Sequence, residues 1–119
     1  MRSLLLIAAL AAPLAPATAE TIYVSNERAN TISVIDAATL KVTATWPVGR
    51  RPRGIVLSRD GKQLYVCASD ENAVQVVDLA SGKVVANLPS GEDPETFALS
   101  PDGTLLFASN ERDATVTAI

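Results

Sequence analysis

The sequence predicts an all-β chain built from a repeated unit of four short antiparallel strands, on three observations. Tyr23, Tyr65 and Phe107 are spaced by 42 and 42, and segments 23–65 and 65–107 are identical at 17 of 43 positions without a gap. Thr31-Ile32-Ser33-Val34 and Thr115-Val116-Thr117-Ala118 alternate with period two and are rich in β-branched residues, the pattern of half-buried strands. Turn residues interrupt the chain every few positions, so that no stretch after residue 19 keeps a 3.6 period for ten residues. A 42-residue period also fits helical repeats of the HEAT or armadillo kind; the local alternation decides for strands.

The elements follow in order. Met1-Arg2, the apolar run Leu4 to Ala12 and the small residues Ala17-Thr18-Ala19 read as a secretory signal peptide over 1–19. Nine apolar residues followed by Pro13 and Pro16 fall short of the roughly 20 that span a bilayer, so no membrane span is expected. Residues 20–49 then carry three strands, designated B, C and D of a first unit. Residues 50–91 form a complete unit. Strand A is Ile55-Val56-Leu57, strand B Leu64 to Ala68, strand C Ala73 to Asp78 and strand D Lys83 to Leu88. Residues 92–119 repeat A (Phe97-Ala98-Leu99), B (Leu105 to Ser109) and C. Strand A is apolar at every position, which predicts burial on both faces. Between A and B, Ser58-Arg59-Asp60-Gly61 and Ser100-Pro101-Asp102-Gly103 spell a tight hairpin, because Pro presets φ near −65° and Gly accepts φ > 0. Asp36 and Asp78 close strand C, placed to accept turn N–H groups.

A sheet of four such strands has two apolar faces and cannot bury either alone. Successive sheets stacked around an axis bury both, which is a β-propeller, here a partial one. Tyr23-Val24-Ser25-Asn26, Tyr65-Val66-Cys67-Ala68 and Phe107-Ala108-Ser109-Asn110, each followed by an Ile/Val-rich strand, resemble the YVTN-type β-propeller repeat. WD40 fits less well, since its Trp-Asp and Gly-His signatures are missing. With the export signal, Arg-Pro-Arg-Gly-Ile and Pro-Ser-Gly-Glu-Asp-Pro-Glu look most like periplasmic seven-bladed propellers associated with pyrroloquinoline-quinone (PQQ)-dependent alcohol catabolism. That resemblance implies a periplasmic, non-enzymatic binding or scaffold protein, with a quinoprotein dehydrogenase or c-type cytochrome as partner and only an indirect association with PQQ. It supplies no catalytic residues. The alternative is a propeller enzyme, lactonase-like or bearing a redox cofactor, whose site further C-terminal blades complete. Seven repeats need about 294 residues, so the chain reads as an N-terminal fragment; the rival is a short chain whose copies assemble into one ring. Two open blade faces predict that residues 20–119 fold poorly as a monomer.

Composition narrows function by exclusion. Formal net charge is −3, or −4 without Arg2, which disfavours nucleic-acid binding through phosphate neutralisation. Cys67, the lone cysteine, sits in an apolar run and reads as a core thiol. With no His, no Gly-x-Ser-x-Gly turn and no C-x-x-C-H, a catalytic constellation, a covalently attached haem and a metal site are all unsupported.

The charge concentrates in two D–A loops. Gly49-Arg50-Arg51-Pro52-Arg53 becomes Gly91-Glu92-Asp93-Pro94-Glu95 one repeat later, so three positives give way to three negatives. Adjacent blades place the clusters side by side on one rim. One reading is a salt-bridged surface, at about 0–1 kcal/mol per exposed pair. The other is a docking site in which Arg50, Arg51 and Arg53 attract a carboxylate-rich or phosphate-bearing partner, beside Glu92, Asp93 and Glu95. The B–C loops, Asn26 to Asn30, Ser69 to Asn72 and Asn110 to Asp113, border the same mouth, turn formers first and contact candidates second, with Asn30, Asp70, Glu71, Asn72 and Arg112 as a secondary rim. Asp70 and Glu71 match no EF-hand spacing. Trp46, where the next repeat has Leu88, reads as packing at the blade edge before ligand stacking.

Overall fold

The computed structural model describes residues 20–119; the signal-peptide reading of 1–19 lies outside them. Ten strands form three antiparallel sheets, each a meander of sequence neighbours. The first sheet contains β1 (Thr21–Asn26), β2 (Thr31–Asp36) and β3 (Lys41–Pro47). The central one contains β4 (Pro52–Leu57), β5 (Gln63–Ala68), β6 (Ala73–Asp78) and β7 (Lys83–Pro89), and the third β8 (Pro94–Leu99), β9 (Leu106–Asn110) and β10 (Thr115–Ala118). A 3-10 turn, Ser69–Glu71, links β5 to β6. Among the described residues no helix is long and apolar enough to cross a membrane.

The repeat is visible in the irregularities as well as in the strands. Register shifts occur between Val34 and Ile35 against β3 and between Val76 and Val77 against β7, 42 residues apart. Such bulges raise the local twist that blades need. The A–B hairpins close as the turn residues dictate. The Gly61 N–H donates to the Ser58 carbonyl (2.9 Å) and that of Gly103 to Ser100 (2.8 Å), with both glycines at positive φ. Asp36 and Asp78 accept the N–H groups of Thr39 (2.7 Å) and Ser81 (2.9 Å) at the ends of strand C.

The sheets pack face to face through two apolar clusters. Ile32 of the first sheet meets Leu64, Val66 and Val77 of the second; Val74 of the second meets Leu106 and Ala108 of the third. Pleating explains the division, since Leu64 and Val66 point to one face of β5 and Tyr65 and Cys67 to the other. Cys67 is fully buried, and burial above all pushes its thiol up to about 12. Trp46 packs against Tyr23 (ring centroids 5.8 Å apart) and over Gly82 of the neighbouring sheet, so it closes the blade edge.

One expectation is overturned. Strand A is not buried on both faces: β4 and β8 are largely half-exposed and Leu57 is 42% exposed. Each pairs with one strand only and forms one edge of its sheet. The doubly covered strands are β5 and β6, in the interior of the central sheet. Strand A also starts three residues earlier than its apolar triplet, at Pro52 and Pro94, which pair with Ala68 and Asn110; the register shift after each proline leaves Arg53 and Glu95 without a partner in the ladder.

Candidate functional site

The D–A loops are held at one end of the sheets by three hydrogen bonds that recur after 42 residues. In the first loop the N–H groups of Gly49, Arg50 and Arg51 donate to Gln75 Oε1 (2.6 Å), Glu71 Oε1 (2.9 Å) and Asn30 Oδ1 (2.9 Å). In the second, those of Gly91, Glu92 and Asp93 donate to Thr117 Oγ1 (3.0 Å), Asp113 Oδ2 (2.9 Å) and Asn72 Oδ1 (3.0 Å). Each loop is thus clasped by the B–C turn before it and by strand C and the B–C turn after it. Arg51 and Asp93 hold the left-handed conformation, at φ 54° and 60°, which costs a non-glycine residue of order 1 kcal/mol and persists because neighbours fix it. Asn30 and Asn72 adopt it too, at lower cost for their residue type.

From this frame Arg51 and Arg53 reach across to the third sheet. Arg51 lies 2.9 Å from Asp93, 3.1 Å from Glu95, and 3.3 Å from both Glu27 and Asp70. Arg53 lies 2.7 Å from Glu95 and 3.4 Å from Glu27, and Arg112 lies 3.8 Å from Asp93. One guanidinium therefore bridges carboxylates from all three blades, as its planar fork of five donors permits. Burial opposes the Arg51 charge, but hydrogen bonds to Asp70, Asp93 and Glu27 outweigh it and raise the pKa further. Burial also pushes Glu95 above the usual carboxylate range, with Asp93 adding to the effect and Arg53 and Arg51 opposing it. Asp93, Glu95 and Glu111 bring carboxylate oxygens within 4.8 Å of one another, and the arginines supply compensating charge.

The predicted residues separate accordingly. Arg51, Arg53, Asp93, Glu95, Asp70 and Arg112 come together, whereas Arg50 points outward with its side chain 68% exposed, approaching Glu71 at 3.9 Å and donating to the Asp70 carbonyl at 3.5 Å. Glu92 takes part through its backbone. Asn30 and Asn72 serve as loop caps. Glu27, Glu111 and Asp113 lie in the B–C loops that the sequence places at this mouth, although none was picked out within them; Gln75, on strand C, was missed, and the 84-residue spacing of Glu27 and Glu111, two repeats, was the available signal for that pair. Segments 27–30, 49–53, 69–72, 91–95 and 111–114 together carry eight acidic residues and five arginines, a net charge of −3, and no lysine.

The profile of the YNCE-like beta-propeller family matches residues 7–102. The chain belongs to this family. No curated protein sequence matches this YNCE-like beta-propeller, but many solved structures share its fold. Kuenenia stuttgartiensis hydrazine synthase superposes with a TM-score of 0.78 at 28% identity, over 83% of this chain and 29% of that one. The dihydro-heme d1 dehydrogenase NirN, in complex with DHE, gives 0.69 at 23% identity, over 83% of this chain and 21% of that one. A functionally unknown protein from Desulfotomaculum acetoxidans gives 0.63 at 21%, over 83% of this chain and 37% of that one. The chain thus spans well under half the length of each.

Proposed function

We propose that this YNCE-like propeller is an exported, non-catalytic binding or scaffold protein of the periplasm whose charged rim docks a component of PQQ-dependent alcohol oxidation. The observation that carries the reading is the rim itself, a set of charges from three blades held on a clasped backbone. Docking rewards such preorganisation, because side chains already fixed lose little entropy on binding. The geometry also refines the partner's charge. Arg51 and Arg53 are occupied by carboxylates, leaving Arg50 for a carboxylate or phosphate of the partner, while the net −3 of the surrounding loops suits basic groups. A quinoprotein dehydrogenase or c-type cytochrome fits this role, the quinone staying with the partner.

Capture of such a partner by the immobilised protein, at low and high salt, tests the reading. Binding that weakens with salt and is lost on Arg50→Glu is the expected result; capture indifferent to both would remove the rim from consideration. A second reading is an enzyme whose site needs further blades, favoured by the 28% identity to hydrazine synthase. Turnover of a lactone, or a redox cofactor co-purifying with the protein, would select it.

A further inference from the structure

We propose that the Asp60-Gly61 pair is a site of isoaspartate formation, and that its repeat image, Asp102-Gly103, is shielded from the same reaction. These are the only Asp-Gly pairs in the chain. The chemistry favours glycine after the aspartate, because a nitrogen whose own residue has no Cβ reaches the side-chain carboxyl unhindered. The glycine nitrogen attacks Cγ of the protonated carboxyl, and the N–Cγ bond closes a five-membered succinimide. The amide proton and the carboxyl hydroxyl leave together as water. A second water then opens the ring, and opening at the former backbone carbonyl leaves the main chain running through Cβ. One water leaves and one enters, so no oxidant, reductant or other co-reactant is needed.

Both folded turns withhold the reactants, but unequally. The Gly61 and Gly103 N–H groups are given to the Ser58 and Ser100 carbonyls, so each turn must open before its nitrogen can attack. Asp60 Oδ1 accepts two hydrogen bonds, from Ser58 Oγ (2.6 Å) and the Lys62 N–H (3.0 Å). Asp102 Oδ1 accepts three, from Ser100 Oγ (2.6 Å), the Thr104 N–H (3.1 Å) and the Thr104 hydroxyl (2.8 Å). The second turn is also strapped to the central sheet, since Arg59 lies against Gly103 and donates from Nη1 to the Pro101 carbonyl. Among the described residues no side chain straps the Ser58–Gly61 turn in this way. The same hydrogen bonds hold both carboxyls below their usual range, Asp102 to about 2, which keeps the reactive protonated form scarce. One additional hydrogen bond makes opening rarer by about fivefold. Leu57 and Leu64 pair just beyond the Asp60 hairpin, so an extra main-chain carbon at 60 lengthens the connection between β4 and β5 of the central sheet.

Incubation of the full chain at neutral pH, in buffer and in urea, tests this. Isoaspartate at each pair is read by mass spectrometry after digestion with a protease that cuts before aspartate but not before isoaspartate. In urea the two pairs should react at comparable rates, because only their flanking residues distinguish them. In buffer Asp60 should lead Asp102 by at least about fivefold. Thr104→Ala removes the third donor and should speed Asp102 by about fivefold with Asp60 unchanged. Equal rates in buffer, Asp102 ahead of Asp60, a ratio no different from that in urea, or a folded Thr104→Ala chain in which Asp102 is no faster would overturn the proposal. Should Thr104→Ala fail to fold, as read by loss of strand circular dichroism, the comparison of buffer with urea in the unmodified chain decides alone.

Discussion

Cys67 offers an internal reporter of whether the blades open together or one at a time. The thiol is fully buried in the central sheet with its pKa pushed up to about 12, so a thiol reagent at neutral pH reacts only through molecules that have opened. The labelling rate then measures the opened population. Ile32, on the first sheet, is fully buried against Leu64, Val66 and Val77. Ile32→Ala removes three carbons from a site that cannot collapse fully, which costs about 3 kcal/mol. At 1.4 kcal/mol per tenfold, labelling of Cys67 should accelerate about a hundredfold, provided that the central sheet cannot open without losing the first. Val116 occupies the Ile32 position two repeats on but is 66% exposed. Val116→Ala should therefore change the rate by less than about threefold. A wild-type rate for Ile32→Ala would show that Cys67 is uncovered by detachment of the third sheet alone, and the picture of interdependent blades would be wrong.

Three other outcomes are expected. Gly82→Ala should destabilise by more than about 1 kcal/mol, because the new Cβ would run into the Trp46 indole and φ is +68°; Trp46→Leu should restore part of the loss in urea unfolding, and no rescue would assign the cost to φ alone. Asp36, Asp60, Asp78 and Asp113 have folded pKa values held down by turn hydrogen bonds, and Asp102, bonded by Ser100 and Thr104, is lowered to about 2. Depressed carboxylates stabilise the fold above their unfolded value near 3.9 and lose that contribution as pH falls through the folded values, so stability should decline from about pH 4 towards pH 2, less steeply in Asp102→Asn; a flat profile would refute this. Arg51→Gln leaves carboxylates of three blades facing one another and should speed hydrogen exchange in β8, whereas Arg50→Gln, on an exposed side chain, should not. Equal effects would show that the bridge contributes nothing.

The 42-residue period located the strands because a pleated strand between tight turns leaves its whole signal in local order. Strand C, read as Ala73 to Asp78, has those bounds in the structure. The partial propeller follows from the same signal, and the family match agrees with it. Strand A misled because its apolar triplets do not say where in a sheet they lie; only the pairing puts β4 and β8 at sheet edges. The rim was legible as a charge alternation between Arg50–Arg53 and Glu92–Glu95. That Arg51 turns inward while Arg50 turns outward was not, since it depends on the left-handed φ of Arg51 and on Asn30, 21 residues upstream, holding its N–H. Glu27 was hidden for a similar reason: its partners Arg51 and Arg53 lie on the next blade.

The clasp on the D–A loops separates two properties that usually change together. Its six donors are backbone N–H groups, so the path of each loop does not depend on which side chains the loop carries, and an arginine and an aspartate occupy the same left-handed position. Charge can then be rewritten on this end of the molecule, blade by blade, without redrawing the backbone that displays it. Selection can rewrite the charge the rim displays, to the point of reversing its sign, while the sheets beneath are left alone.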